Sequence, residues 1–178
     1  MKHTLAIAAL VLGLAACKPA EEAPPAKAAA APVAPAPVQT FRFGNHVPPA
    51  VITAVTGTDT ASAILAGHVT AEANHAYCLD MTGGADSSEA VTQCEAENRD
   101  QPEQRMTADC IARTISDGSD AVWVRDEPAE GGKVMPVWRD RASGDIRDYS
   151  GAGGGYVLTA AFRILCPKAS ADIAPDPF

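Results

Sequence analysis

Five cysteines are the residues of this 178-residue chain whose spacing most sharply limits the chemistry they can do. They are Cys17, Cys78, Cys94, Cys110 and Cys166. A cysteine can accept a lipid, form a disulfide, bind zinc or act in redox catalysis. No two of these cysteines form a Cys-x-x-Cys pair, the spacing that zinc sites and thiol redox catalysts commonly use. The spacing therefore favours acylation and disulfide formation over metal binding and catalysis.

The residues that precede Cys17 are typical of a secretory signal. A basic start is followed by an apolar run from Leu5 to Leu14, and two alanines then lead directly to the cysteine. The run has about half of the ~20 residues that a helix needs to cross a bilayer. We therefore expect residues 1–16 to be a signal peptide that is removed, which leaves Cys17 as the first residue of the mature protein.

The order Leu14-Ala15-Ala16-Cys17 resembles the lipobox of bacterial lipoproteins. The resemblance implies that Cys17 is acylated and that its lipid holds the protein in a bilayer. Lipoproteins retained on the inner membrane often have aspartate directly after the cysteine, whereas this chain has Lys18. The resemblance therefore implies an anchor on the periplasmic face of the outer membrane.

Residues 17–38 comprise the cysteine that is expected to carry the lipid and a segment rich in proline and alanine, which is typical of a tether. Six prolines and nine alanines lie between Lys18 and Val38, and aromatic residues are absent there. Proline fixes φ and removes backbone donors, so this stretch favours extended polyproline II with a reach of roughly 65 Å. We expect it to hold the rest of the protein away from the membrane.

Residues 39–178 are predicted to form a single periplasmic globular domain, because about 140 residues can bury one core. An exported domain meets an oxidising compartment, so its four cysteines predict two disulfides. Three pairings are possible. We favour Cys78 with Cys94 and Cys110 with Cys166, because the sequence around each pair suggests a local unit.

Three segments have the apolar spacing or the capping residues of helices. They are a helix from Ala63 or His68 to Leu79 that ends at Gly83-Gly84, one from a cap at Ser87 or Ser88 to about Asn98, and one from Tyr156 to Leu165. The first two place Cys78 and Cys94 where a disulfide could join a helical hairpin. The third places Cys166 at its end.

Alternation of apolar and polar residues predicts strands in five segments. These are Thr40–Phe43, Val51–Val55, Met106–Ile115, Ala121–Val124 and Val134–Arg139. The last three suggest an antiparallel meander, and the tail from Ala169 is expected to fray. The predicted fold class is α+β: a small antiparallel sheet with two to three helices, stapled by two disulfides.

Between Ala76 and Pro167 the chain is similar to uncharacterised small exported bacterial proteins that contain cysteines. The similarity rests on Ala76-Tyr77-Cys78, on Thr107-Ala108-Asp109-Cys110 and on Phe162-Arg163-Ile164-Leu165-Cys166-Pro167. It implies a disulfide-stapled fold and no known reaction.

A small group of imidazole and carboxylate side chains could offer metal ligands. His68, Glu72 and His75 are spaced by four and three residues and would share one face of a helix. Three polar residues on one face are also what the solvent side of a helix presents. We therefore predict no metal and no cofactor, and keep a metal-binding protein or small enzyme as an alternative.

Aromatic and arginine side chains around the predicted strands are the candidate binding residues. Trp, Tyr and Arg concentrate binding energy at protein interfaces, and the candidates are Trp123, Arg125, Trp138, Arg139 and Tyr149. The competing interpretation places both tryptophans in the core.

The charge of the domain limits its partners. Residues 39–178 carry 20 acidic and 11 basic side chains, a net charge of −9, which excludes nucleic acid as a partner. We predict a non-enzymatic protein-binding module with a protein partner in the periplasm. Its sharper form is an inhibitor or immunity protein against a cationic envelope hydrolase or toxin. The first alternative is a structural accessory of an envelope complex or of peptidoglycan.

Overall fold

An eight-stranded antiparallel sheet curled around one buried helix forms the centre of the computed structural model. It describes residues 38–83, 88–126, 135–149 and 154–175. The strands are β1 (Thr40–Phe41), β2 (Ala50–Thr56), β3 (Ala63–His68), β4 (Gln104–Asp109), β5 (Thr114–Ser116), β6 (Trp123–Arg125), β7 (Trp138–Asp140) and β8 (Ile146–Arg147). The helices are α1 (Ala71–Thr82), α2 (Ser88–Cys94) with a 3₁₀ turn at Glu95–Glu97, and α3 (Gly155–Leu165). The predicted α+β class is confirmed.

Each strand pairs with the next one in the chain, so the order in the sheet is the order in the sequence. Between β3 and β4, Ala63 lies opposite Ala108 and Leu65 lies opposite Met106. All four side chains are buried, because residues that alternate along a strand share one face. Helices α1 and α2 are inserted between these two central strands, and α3 follows the last strand.

Helix α3 covers the inner face of the sheet. Leu158, Phe162 and Leu165 are fully buried along one side of it, and each such side chain contributes ~1.5–3 kcal/mol relative to exposure. Trp138 of β7 packs edge-on against Phe162, with ring centroids 5.3 Å apart. Its Nε1 donates to Thr159 Oγ1 at 2.9 Å, so the largest fully buried side chain also has its polar atom satisfied.

Both expected disulfides are present. Cys78 pairs with Cys94 across the helical hairpin, with Cα atoms 5.6 Å apart. Cys110, just after β4, pairs with Cys166, just after α3, with Cα atoms 5.3 Å apart. The second bridge joins the sheet to the helix that covers it.

The expected helix from Ala63 or His68 is wrong over its first residues. Ala63–His68 is the strand β3, and the helix begins only at Ala71. Alanine favours helices, but β3 lies in the middle of the sheet, where Leu65, Ala66 and Gly67 are all buried. β3 is hydrogen-bonded to β2 on one side and to β4 on the other, and its run of small apolar residues hides the alternation by which a strand is recognised.

The segment Met106–Ile115 is two strands and a turn, where one strand was expected. Asp109 Oδ1 accepts hydrogen bonds from the backbone N–H groups of Ile111 and Ala112 at 2.9 and 2.8 Å. Arg113 then takes a left-handed conformation with φ of 54°. An aspartate that caps its own turn can reverse the chain without glycine or proline, so neither of these residues marks the turn.

The tail from Ala169 does not fray as expected, at least as far as residue 175. Ser170 and Ile173 are buried, and Ile173 joins the core. Parts of other predictions lie outside the described residues: the signal peptide, Cys17 and the tether at 1–37, Gly84 and Ser87, Val134, and the tail at 176–178.

Candidate functional site

The candidate site is the segment between β3 and β4, residues 71–100, which we call the acidic hairpin. Its first helix begins at a polar cap: Thr70 Oγ1 accepts from the Ala73 N–H at 3.2 Å, and Asp100 Oδ1 accepts from the Ala71 N–H at 2.7 Å. The helix ends at Gly83, which has a φ of 112°. Glycine takes such left-handed conformations without a steric penalty, so the sequence limits α1 at both ends.

The interior of the hairpin consists of small and polar groups. Cys94 is fully buried and Ala90 nearly so. The Asn74 side chain, which is 8% exposed, donates to the Glu97 carbonyl oxygen at 2.7 Å. The disulfide and this hydrogen bond fix the two helices against each other, so the outer surface of the hairpin has a defined shape.

Acidic side chains cover that surface. Residues 71–100 carry seven acidic side chains and one basic one, whereas the rest of 39–178 carries thirteen and ten. Glu72, Asp80, Glu89 and Glu95 are exposed, and none forms an ion pair with another described residue. Two thirds of the net charge of the domain therefore lies on about a fifth of its residues.

Charges on the sheet are mostly paired. The ion pairs there are Arg105–Glu103, Arg125–Asp172, Arg139–Asp126, Arg147–Asp117 and Lys168–Asp59, at 2.7 to 3.7 Å. The electrostatic fields of two paired charges cancel at a distance. The fields of the hairpin carboxylates, which form no ion pair with another described residue, add to one another. Because residues 71–100 carry six of the nine net negative charges of residues 39–178, the field that a charged partner meets on approach is most negative near the hairpin.

The carboxyl groups with clearly shifted pKa values are all held in the ionised form. Hydrogen bonds from Arg125 lower the pKa of Asp172, and those from Ser143 lower the pKa of Asp140. Burial raises the pKa of Asp117, but hydrogen bonds from Ser119 and Arg147 outweigh it, and the net pKa lies below its usual 3.8. Arg105 lowers the pKa of Glu103. A general acid needs the opposite shift.

The candidate metal ligands do not share a helix face. His68 is the last residue of β3, whereas Glu72 and His75 lie on α1. Within the described part of the chain, no group of three histidine, cysteine, aspartate or glutamate side chains is placed to hold a metal ion. Asp140, another carboxylate of the sheet, accepts from the Ser143 hydroxyl at 2.7 Å and caps a turn.

Three of the five predicted binding residues are in the interior, and this corrects the surface that we expected them to form. Trp138 is 0% and Trp123 5% exposed, and both belong to the core, as the competing interpretation held. The Arg125 side chain is 1% exposed. With few aromatic side chains in the chain, the core takes the tryptophans because they bury the most apolar area.

The other two predicted binding residues lie nearer the surface. Arg139 is exposed and pairs with Asp126 at 3.0 Å. Tyr149 is half-buried, and its ring contacts that of Tyr156 edge-on with centroids 6.5 Å apart. The structure does not bring these two residues together with Trp123, Arg125 and Trp138 on one exposed surface.

A groove of about 380 Å³ lies across β3, β4 and β5. Ile64, Thr107 and Ser116 line it and share a sheet face through the register. Its one charged lining residue, Asp109, is engaged by the turn that follows β4. The groove thus offers shape and hydroxyl groups but no acid, base or nucleophile arranged for catalysis.

No protein-family model, no curated protein and no solved structure matches the chain. None of the helices in the described ranges is long and apolar enough to cross a membrane. What the protein binds must therefore follow from its own residues. Sequence reasoning used the net charge of the domain but missed that the charge is concentrated in residues 71–100, which a count along the sequence would have found.

Proposed function

We propose that the protein is a periplasmic lipoprotein, anchored in the outer membrane through acylated Cys17, that acts as a non-enzymatic protein-binding module. The acidic hairpin is its docking surface, and the partner is a cationic protein. The observation that carries the proposal is a set of exposed carboxylates on a disulfide-stapled hairpin that form no ion pair with any other described residue. A fixed array of like charges attracts a basic partner and orients it during association.

The lipobox resemblance supports a location on the periplasmic face of the outer membrane. That location limits the possible partners to proteins of the envelope. A tether of roughly 65 Å would allow the domain to reach proteins in the periplasm and at the cell wall. Basic envelope hydrolases and toxins are cationic proteins that a cell must restrain there. We therefore favour an inhibitor or immunity protein as the specific role.

A pair of matched variants tests the docking surface. Asp80→Asn with Glu95→Gln removes two charges from the acidic hairpin, and Asp120→Asn with Asp145→Asn removes two from exposed positions of the sheet side. The full chain is titrated with a basic lysozyme at low salt. We expect the hairpin variant to raise the Kd about fivefold or more and the control to change it less than about twofold.

The two variants carry the same net charge, so a difference between them reports position. Equal losses would show that only net charge matters and would contradict the hairpin as the docking surface. The absence of binding by the unmodified protein would contradict the inhibitor role for this class of hydrolase.

A further inference from the structure

The acidic hairpin is structurally separate from the core. The described residues of this segment, 71–83 and 88–100, contribute none of the side chains of the core cluster and none of those packed against it. The buried residues of its helices are Asn74, Ala90 and Cys94. None of the described large apolar side chains of the hairpin, such as Tyr77, Leu79 and Val91, is fully buried, although buried side chains of this kind supply most of the folding free energy of a domain.

Its helices have extensive contacts with one another but not with the sheet or with α3. The connections to the sheet lie mainly at its base, where the Gln101 N–H donates to the Val69 carbonyl oxygen at 2.9 Å. On one side, the Arg42 guanidinium lies 5.7 Å from the Tyr77 ring centroid. Contacts this few allow the hairpin to open without opening the core.

The two disulfides differ in how they can be reached. Cys110 and Cys166 are 5% and 0% exposed and lie among the core side chains. Cys94 is fully buried, but its partner Cys78 is half-buried on the surface of α1. An attacking thiolate needs access to one sulfur only, and Cys78 is the most exposed of the four paired cysteines.

We propose that the Cys78–Cys94 disulfide is a redox-sensitive staple, and that its reduction by a dithiol unfolds the acidic hairpin while the sheet and α3 stay folded. A thiolate of the reductant attacks Cys78 Sγ, forms a mixed disulfide and releases Cys94 as a thiolate, which takes up a proton. The second thiol of the reductant then displaces Cys78, and the reductant leaves as its own disulfide. Two electrons pass from the dithiol to the cystine.

Opening follows reduction for two reasons. The Cys78–Cys94 disulfide restricts the conformations that the unfolded loop between the two cysteines can take. Reduction removes this restriction and so makes the unfolded hairpin more favourable. The exposed carboxylates repel one another once the helices are free to separate. Loss of the docking surface on reduction rests on the proposed function, whereas the opening itself does not.

The test uses the full chain under native conditions with increasing dithiothreitol. Free thiols are alkylated and mapped to individual cysteines, and amide hydrogen exchange is followed in the same samples. We expect Cys78 and Cys94 to be alkylated while Cys110 and Cys166 stay protected. At that stage exchange in residues 71–100 should rise about 100-fold or more, and exchange in β4 less than about threefold.

Variants give the same comparison without reductant. Cys78→Ser with Cys94→Ser should lose protection in the hairpin alone, and Cys110→Ser with Cys166→Ser should lose it in the sheet and α3. Simultaneous reduction of both disulfides, or a reduced hairpin that keeps its slow exchange, would overturn the proposal. Neither readout involves a partner, so failure here leaves the proposed function standing.

Discussion

Arg125 shows how one buried charged side chain can order a segment of chain. Its two terminal nitrogens donate to the two carboxylate oxygens of Asp172 at 2.9 and 2.8 Å, and one of them also donates to the Ala169 carbonyl oxygen. Its guanidinium carbon lies 5.8 Å from the ring centroid of Phe162. A buried guanidinium needs an anion, and the tail supplies it. Arg125 is therefore a structural residue that holds the C-terminal segment against β6.

Removal of that anion should destabilise the fold. Asp172→Asn leaves the Arg125 guanidinium buried without a countercharge, and we expect a loss of about 2–3 kcal/mol in the free energy of unfolding, less than for a fully buried pair because Asp172 is partly exposed. Urea denaturation measures it. As a control, Asp126→Asn removes the exposed partner of Arg139 and should cost less than about 1 kcal/mol. Equal effects would contradict the structural role of Arg125.

The lowered carboxyl pKa values predict a loss of stability in acid. The folded pKa values of Asp172 and Asp117 lie below their usual 3.8, so the unfolded chain binds protons first as the pH falls. Their contribution is present above about pH 4 and is lost as the pH falls through the folded values. We expect a lower Tm at about pH 3 than at about pH 5. The variant Asp172→Asn with Asp117→Asn should show a shallower decline, and an unchanged Tm in the unmodified protein would refute the prediction.

At the scale of the elements, local sequence patterns predicted helices and strands correctly where the tertiary environment favours the same structure. The helix expected at Tyr156–Leu165 is α3, because its apolar stripe faces the sheet. The alanines in Ala63–His68 favour a helix, but β3 pairs with β2 on one side and with β4 on the other, and this pairing overrides the local preference. The tail could not be predicted because its order depends on Arg125, more than forty residues away. The Cys78–Cys94 pairing was predictable because the two cysteines lie only 16 residues apart on adjacent helices. The Cys110–Cys166 bridge spans 56 residues and follows from it because these are the two remaining cysteines of the domain.

The start of α3 depends on a close backbone approach. A Cβ added at Gly155 would collide with the Asp148 carbonyl group, whose carbon would lie 2.7 Å away, and the Gly155 N–H donates to that carbonyl oxygen at 2.9 Å. Gly155→Ala should therefore cost about 2–3 kcal/mol in thermal or urea unfolding. At Gly44 the added Cβ would meet Val47 at an ordinary 3.5 Å, so Gly44→Ala should cost less than about 1 kcal/mol. The reverse order would contradict the packing of α3 against β8.

At the scale of the whole molecule, the apolar core and the concentration of acidic charge belong to different parts. The sheet, α3 and the Cys110–Cys166 bridge hold the apolar core, and the acidic hairpin carries six of the nine net negative charges of residues 39–178. The net charge of the domain was evident from the sequence. Which carboxylates are paired was not, because the partners of Asp59, Asp117 and Asp172 lie far from them along the chain.

The proposed anchoring in the outer membrane through Cys17 can be tested separately from the fold. Cys17→Ala removes the acyl acceptor, so the protein should lose incorporation of labelled palmitate and move from the membrane fraction to the soluble periplasmic fraction. Lys18→Asp should keep the label and shift the protein toward the inner membrane. Retention of Cys17→Ala on the membrane would show that another feature anchors the protein.

The most direct test of the acidic hairpin as a docking surface is hydrogen exchange of the full chain with and without a basic envelope hydrolase, at about 0.05 M and about 0.5 M salt. At low salt we predict that complex formation slows exchange in residues 71–100 and leaves β4 to β8 unchanged, and that the slowing disappears at high salt. Protection confined to the sheet, or protection of the hairpin that persists at high salt, would contradict the account.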